Sequence, residues 1–143
     1  MIAELENLRF FRDLSSKQLT MLAEKAKLMK FLPGEVIIDE NTPEKIIGYI
    51  ISGEAQYIFT DQQGVLQKVE NYSNAPIGAV YLDGFDVTGS MVAESDVRVI
   101  AWSLNDMADF EKTQPTLALV FYKGIIFYLI QNLRRLVGGY QPG

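Results

Sequence analysis

The sequence predicts a mainly β domain, a sandwich or barrel with helices before and after it, and three observations carry that reading. Short runs rich in Val, Ile, Tyr and Phe recur between Glu35 and Ser103, with turn residues between them. Helical spacing of apolar residues appears on either side of that stretch and not within it. The chain has 143 residues, 48% hydrophobic and 22% charged, which suits one domain with one substantial core. Several short strands at such close intervals fit a sandwich or barrel better than a parallel α/β sheet.

Segments 1–32, 33–104, 105–137 and 138–143 read in turn as an N-terminal helical part, a β part, C-terminal helices and a tail. From Leu8 to Lys30 the pattern is helical, with Ser15 as N-cap and Gln18 three residues on completing a capping box. Leu19, Leu22, Ala23 and Ala26 form its apolar side, while Lys17, Glu24, Lys25 and Lys27 face water. Pro33-Gly34 ends that segment. The strand candidates are Val36–Ile38, Ile46–Ile51, Ala55–Phe59, Val65–Val69, Met91–Ala93 and Val97–Trp102, with turns at Ser52-Gly53 and Asp61–Gly64. Asn105 to Val137 is helical again, broken near Pro115.

Composition removes several function classes. Thirteen basic against eighteen acidic residues leave a net charge of −5, the wrong sign for a nucleic-acid binder. With no cysteine there is neither a disulfide nor a thiolate nucleophile. With no histidine, a metal site would rest on carboxylates alone. Asp83, Asp86, Glu94 and Asp96 do not keep the spacing of a calcium loop and read as a solvated acidic face, so no metal is assigned. Ser52 lacks a base and reads as a turn residue; with no acid–base pair in sight, the chain is not expected to be an enzyme. Glu4 and Glu6 stand where a signal peptide carries basic residues, so the chain is expected to be uncleaved and cytoplasmic. The apolar run Leu117–Ile130 is interrupted by Lys123 and is shorter than the roughly 20 residues a bilayer needs, so no membrane span is expected.

An ordered set of short signatures runs along nearly the whole chain: Phe10-Phe11-Arg12-Asp13-Leu14-Ser15, then Pro33-Gly34-Glu35-Val36-Ile37, then Tyr49-Ile50-Ile51-Ser52-Gly53-Glu54. Ile77-Gly78 and Asp96-Val97-Arg98-Val99-Ile100, leading to Asp106 and Phe110, complete it. In this order and approximate spacing the chain resembles the cyclic-nucleotide-binding domain family, the sensory part of catabolite-activator-type regulators. The resemblance implies an antiparallel double-stranded β-helix, or jelly roll, with N-terminal helices and a long C-terminal helix, serving signal transduction. Only residues 138–143 follow that helix, which leaves no room here for the family's helix-turn-helix.

The resemblance also places the family's phosphate-binding cassette on the glycine-rich stretch Pro76–Ser90. In the family that cassette reads Gly-Glu, a short helical turn, then Arg-Ser/Thr-Ala-Ser/Thr. Backbone N–H groups cradle the cyclic phosphate, the arginine supplies counter-charge and the glutamate accepts from the ribose hydroxyl. Here Gly78 matches the glycine, Ala79 stands for the glutamate and Val80 follows it. Val87 stands for the arginine, Thr88 and Ser90 match the hydroxyls, and Gly89 replaces the alanine. The cassette is degenerate, because both charged specificity groups are gone. A buried charge-assisted hydrogen bond is worth roughly 1.5–3 kcal/mol, and about 1.4 kcal/mol is tenfold in affinity. Losing both therefore takes a micromolar site towards millimolar, and cyclic AMP and cyclic GMP are disfavoured as ligands. Lys68 and Arg98 are the available substitute cations, with nothing in the sequence aiming them at the loop. A different small molecule in the same cavity, or a loop that merely closes the roll, are the other readings. Tyr49, Tyr57, Phe59, Tyr72, Tyr81 and Trp102 read as filling rather than as stacking platforms.

The C-terminal helix carries apolar residues on more than one face, which asks for two neighbours. One is the roll. For the other, a homodimer mate is expected, as the resemblance implies, ahead of an intramolecular cover by the N-terminal helices; its seam is Phe121, Ile125, Leu129 and Leu136, with Gly124 permitting close approach. Two functions stay open at this point: a regulatory module that senses a small ligand, and an association module that keeps the roll as scaffold.

Overall fold

A computed structural model of the chain describes residues 1–71, 75–82 and 87–138, and of Phe10, Glu70, Asn71 and Leu136 the backbone alone. Helix α1 (Ile2–Glu6), a 3₁₀ turn (Arg9–Phe11) and α2 (Ser16–Lys25) lead into eight strands. These are β1 (Lys27–Phe31), β2 (Val36–Ile38), β3 (Ile46–Ser52), β4 (Ala55–Thr60), β5 (Leu66–Asn71), β6 (Pro76–Ile77), β7 (Ser90–Ala93) and β8 (Val97–Ser103). A second 3₁₀ turn (Ala79–Tyr81) follows β6, and α3 (Leu104–Thr113) and α4 (Pro115–Gly138) close the chain. The strands form two four-stranded sheets, β1-β8-β3-β6 and β2-β7-β4-β5. Every pairing in them is antiparallel. This is the expected β-roll with flanking helices.

Local chemistry explains the element ends. The Ser15 hydroxyl accepts from the Gln18 N–H at 3.2 Å, and the Gln18 side chain accepts from the Ser15 N–H at 3.0 Å, so the capping box forms as the sequence implies. Ser103 caps α3 by accepting from the Asp106 N–H at 3.0 Å. Pro115 opens α4, where its missing N–H costs nothing. Gly53 turns the β3–β4 hairpin at φ 92°, and a Cβ there would stand 2.2 Å from the Asp96 carbonyl oxygen.

The N-terminal helical part is shorter than expected. Helix α2 stops at Lys25, and residues 27–31 form strand β1 on the open edge of β8, Lys27 opposite Ala101 through Phe31 opposite Val97. Met29 and Phe31 turn towards the core between the sheets, a period of two that outweighs the helical run before it. The two-residue strand β6, paired with Gly48 and Tyr49, is also an addition to the sequence reading.

Two cores share the β3–β8 sheet. Along β8, Val97, Val99 and Ala101 enter the core between the sheets, while Ile100 and Trp102 enter a second core under the helices. Tyr49, Trp102, Phe11 and Phe121 meet there edge-to-face, with Trp102 and Phe121 ring centres 5.0 Å apart and Tyr49 and Phe121 5.3 Å apart. The Trp102 indole donates to the Leu22 carbonyl at 2.9 Å, and the Tyr49 hydroxyl donates to the Phe121 carbonyl at 3.1 Å. Both α2 and α4 are thereby fixed to the roll. By length and composition the segment Pro115–Arg135 is long and apolar enough to cross a membrane, more than the shorter run read from the sequence. In the fold its Leu117, Ala118, Phe121 and Ile125 are core residues.

Candidate functional site

The cassette begins where β6 ends. Gly78 sits at φ 86° and a Cβ there would lie 2.1 Å from the Ile46 carbonyl oxygen, so only glycine fits this close approach. The 3₁₀ turn follows at once, with the Tyr81 N–H donating to the Gly78 carbonyl at 3.0 Å. Asp83 and Asp86, like Tyr72, lie outside the described residues. The chain returns at Val87, which is buried, and passes through Thr88 and Gly89 into β7 at Ser90.

Among the described residues, the two arms line different spaces. Gly78, Ala79 and Val80 line a half-open space of about 210 Å³ between the roll and α4, bordered by Tyr57, Ile77 and Met91 of the roll and by Tyr128, Leu129 and Asn132 of α4. Among the described residues, no charged side chain lines it. Val87, Thr88, Gly89 and Ser90 line a different cleft of about 220 Å³, where the charged residues are Asp39 and Glu40. Tyr57 stands between them. It lines the first cavity, and its ring and hydroxyl lie 2.8 and 2.9 Å from where a Gly89 Cβ would be. The glycine in place of the family's alanine therefore makes room for a tyrosine ring, and for the Ile58 carbonyl 2.6 Å from the same point.

The substitute cations are elsewhere. Arg98 on β8 reaches Glu4 of α1 at 3.8 Å, and Lys68 is exposed on β5; neither lines either cavity. The cation that does approach the cassette is Lys45, whose Nζ lies 5.8 Å from the centre of the Tyr81 ring. Burial pushes the Tyr81 hydroxyl above the usual tyrosine range, and the charge of Asp39 and the neighbouring Tyr57 add to it. Among the described residues, no group of three or more acids is placed to hold a metal ion.

The proposed seam on α4 is corrected by the fold. Phe121 and Ile125 are 0% and 4% exposed, packed against Tyr49 and Trp102 in the helix-side core, so neither can meet a mate. Leu129 is exposed at the mouth of the smaller cavity, and the Leu136 side chain lies outside the described residues. The roles of Tyr57, Tyr128 and Asn132 were not legible in the sequence. A tyrosine at an alternating strand position, and a Tyr-Leu pair in an apolar helix, carry no local mark of a cavity wall.

No family model and no curated protein matches the chain. Solved structures do. A cyclic nucleotide-binding domain from Methylobacillus flagellatus superposes with a TM-score of 0.78 at 16% identity, over 99% of this chain and 83% of that one. The catabolite activator protein of Thermus thermophilus matches with a TM-score of 0.68 at 16% identity, over 89% of this chain and 59% of its own. The regulatory subunit of a cAMP-independent protein kinase A from Trypanosoma cruzi, bound to guanosine, matches at 23% identity with a TM-score of 0.70, over 99% of this chain and 51% of its own. The chain has the fold of the cyclic-nucleotide-binding domain.

Proposed function

We propose that the chain is a non-enzymatic, cytoplasmic regulatory module whose cavity under α4 takes a small uncharged ligand and not cyclic AMP or cyclic GMP. The observation that carries this reading is the lining: Ala79, Val80, Ile77, Met91 and Tyr57 present no cation and no acid, while the expected arginine position, Val87, opens on another cleft. A cyclic phosphate entering this cavity sheds its hydration with no counter-charge, and stranding a buried charge costs about 3–5 kcal/mol. The volume of 210 Å³ is below the roughly 300–1,000 Å³ of drug-sized sites, which points to a ligand of nucleoside size or smaller. The guanosine-bound Trypanosoma cruzi subunit supports the same direction, a nucleoside without phosphate in a protein of this fold. Because Tyr128, Leu129 and Asn132 of α4 form one wall, a ligand there shifts the balance between positions of α4.

Thermal denaturation with adenosine, guanosine, cyclic AMP and cyclic GMP tests this. A ligand that prefers the native state must raise stability, by about 2.7 kcal/mol at a hundred times its dissociation constant. A nucleoside is expected to raise the midpoint and cyclic AMP to leave it unchanged up to millimolar concentration. Micromolar binding of cyclic AMP overturns the reading.

A second function, self-association, is favoured by one observation. Ile126, Ile130, Leu133 and Val137 are all exposed, at spacings of four, three and four. Alternating threes and fours keep a row of side chains facing a partner helix, and a homodimer through this row is the proposed assembly.

A further inference from the structure

The cleft of about 220 Å³ beside Val87 shares no lining residue with the cavity under α4. Strand pairing builds its wall. Ile58 and Thr60, two apart on β4, point to one face of their sheet; Ser90 of β7 lies opposite Ile58, and Leu66 of β5 opposite Thr60. The turn after β2 borders the other side with Asp39 and Glu40. Asp39 is half-buried and is tied into that turn by one oxygen alone. Its Oδ1 accepts from the Asn41 N–H at 2.8 Å and from the Thr42 hydroxyl at 3.1 Å, bonds in which Oδ2 takes no part. Among the described residues no Lys or Arg lines the cleft, and neither Asp39 nor Glu40 forms an ion pair. Two uncompensated carboxylates thus share a small space with an apolar wall of Ile58, Leu66 and Val87.

We infer that this cleft binds a primary alkylammonium, a short apolar chain ending in one cation. Concave sites with an apolar wall and a few converging polar groups are the usual form of a ligand site. An ammonium carries three N–H donors and no acceptor, and this cleft offers it acceptors: the two carboxylates and the hydroxyl oxygens of Thr88 and Ser90. The chain covers Ile58 and Leu66. A half-sheltered ion pair is screened less than an exposed one, which favours Asp39 as the main anchor. The apolar wall selects against a hydrated divalent metal, which needs oxygen ligands all round. The site has the opposite sign to a phosphate site and does not rest on what fills the cavity under α4. A ligand here ties the turn after β2 to the β4–β5 hairpin and to the start of β7.

The test is an NMR titration of the full chain with butylammonium, with butanol as its neutral analogue and butyrate as its anionic one. Butylammonium is expected to give saturable shifts centred on residues 39–41, 58–60 and 87–90, with a dissociation constant of about a millimolar, as suits so small a ligand. Acetylated, amidated lysine presents the same ammonium chain on a peptide backbone. Its binding more tightly than butylammonium assigns the cation to a lysine of a partner chain, and more weakly, to a free amine. Asp39→Asn keeps an acceptor for the turn and is expected to weaken binding about tenfold; Glu40→Gln, at an exposed residue, is expected to weaken it about threefold with the remaining spectrum native. Should Asp39→Asn disturb the fold, Glu40→Gln decides. Butanol binding as well as butylammonium, calcium shifting the same residues at lower concentration, or no saturation by about thirty millimolar overturns the proposal. So does wild-type affinity in a folded Glu40→Gln.

Discussion

At Gly89 a Cβ atom would stand 2.6 Å from the Ile58 carbonyl oxygen and within 2.9 Å of the Tyr57 ring and hydroxyl, so no side chain fits at this position beside β4. This changes what side-chain restoration can achieve. Ala79→Glu places a carboxylate beside the cavity under α4, whereas Val87→Arg places a guanidinium in the cleft that Asp39 and Glu40 line. The introduced arginine meets the protein's own acids before it meets a phosphate. The double substitution is expected to gain less than tenfold in cyclic AMP affinity by calorimetry, and a hundredfold gain would mean that both arms face one ligand after all. That alanine stands at 79 and valine at 87 is legible in the sequence. That Tyr57 lies against Gly89 is not, because the two come together only when β4 pairs with β7.

Helix α4 shows the same division at the scale of an element. Its excess of apolar residues is visible in the sequence, and so is its need for two neighbours. Which residues serve which neighbour is a matter of helix rotation, and Tyr49, Trp102 and Phe11 fix it by packing around Phe121. With that face used, the row open to a mate is Ile126, Ile130, Leu133 and Val137. Burying an isoleucine or leucine side chain is worth roughly 1.5–3 kcal/mol, so covering this row would offset part of the cost of association. Light scattering at micromolar concentration is expected to give twice the 16.1 kDa chain mass. Ile130→Asp with Leu133→Asp should halve it while the circular dichroism stays native, and a wild-type monomer at that concentration sinks the assembly. Ile125→Asp is no test of association, since it places a charge in the core. Strand β1 is the matching case at the other end of the chain. Residues 27–31 continue a helical pattern read locally, but the edge of β8 offers them five paired positions.

The whole molecule rests on a sheet buried on both faces, and two phenols packed in its helix-side core, the buried Tyr49 and the partly buried Tyr122, give that arrangement a pH signature. The Tyr122 hydroxyl is pushed up to about 12 by burial, with its hydrogen bond to Glu111 and that carboxylate's charge adding to the effect. Burial alone drives the Tyr49 hydroxyl up as well. An unfolded tyrosine titrates near 10, so the folded state holds these protons longer. The stability linked to them is complete below about pH 10 and is lost as pH rises from about 10 to 12. Urea midpoints measured from pH 8 upward should hold level and then fall through that window, less steeply in Tyr122→Phe; a fall of equal slope in that variant would assign the transition to other groups. The sequence by itself determined the β-roll between flanking helices and the capping of α2. Strand alternation, capping and residue identity act over a few neighbouring residues and can be read along the chain. Only the tertiary structure decided that residues 27–31 pair as a strand, that Phe121 and Ile125 face inward, and that Tyr57 parts the cassette into two spaces. Each of those depends on which distant surface remains to be covered when the two sheets and four helices come together, and no local pattern encodes it.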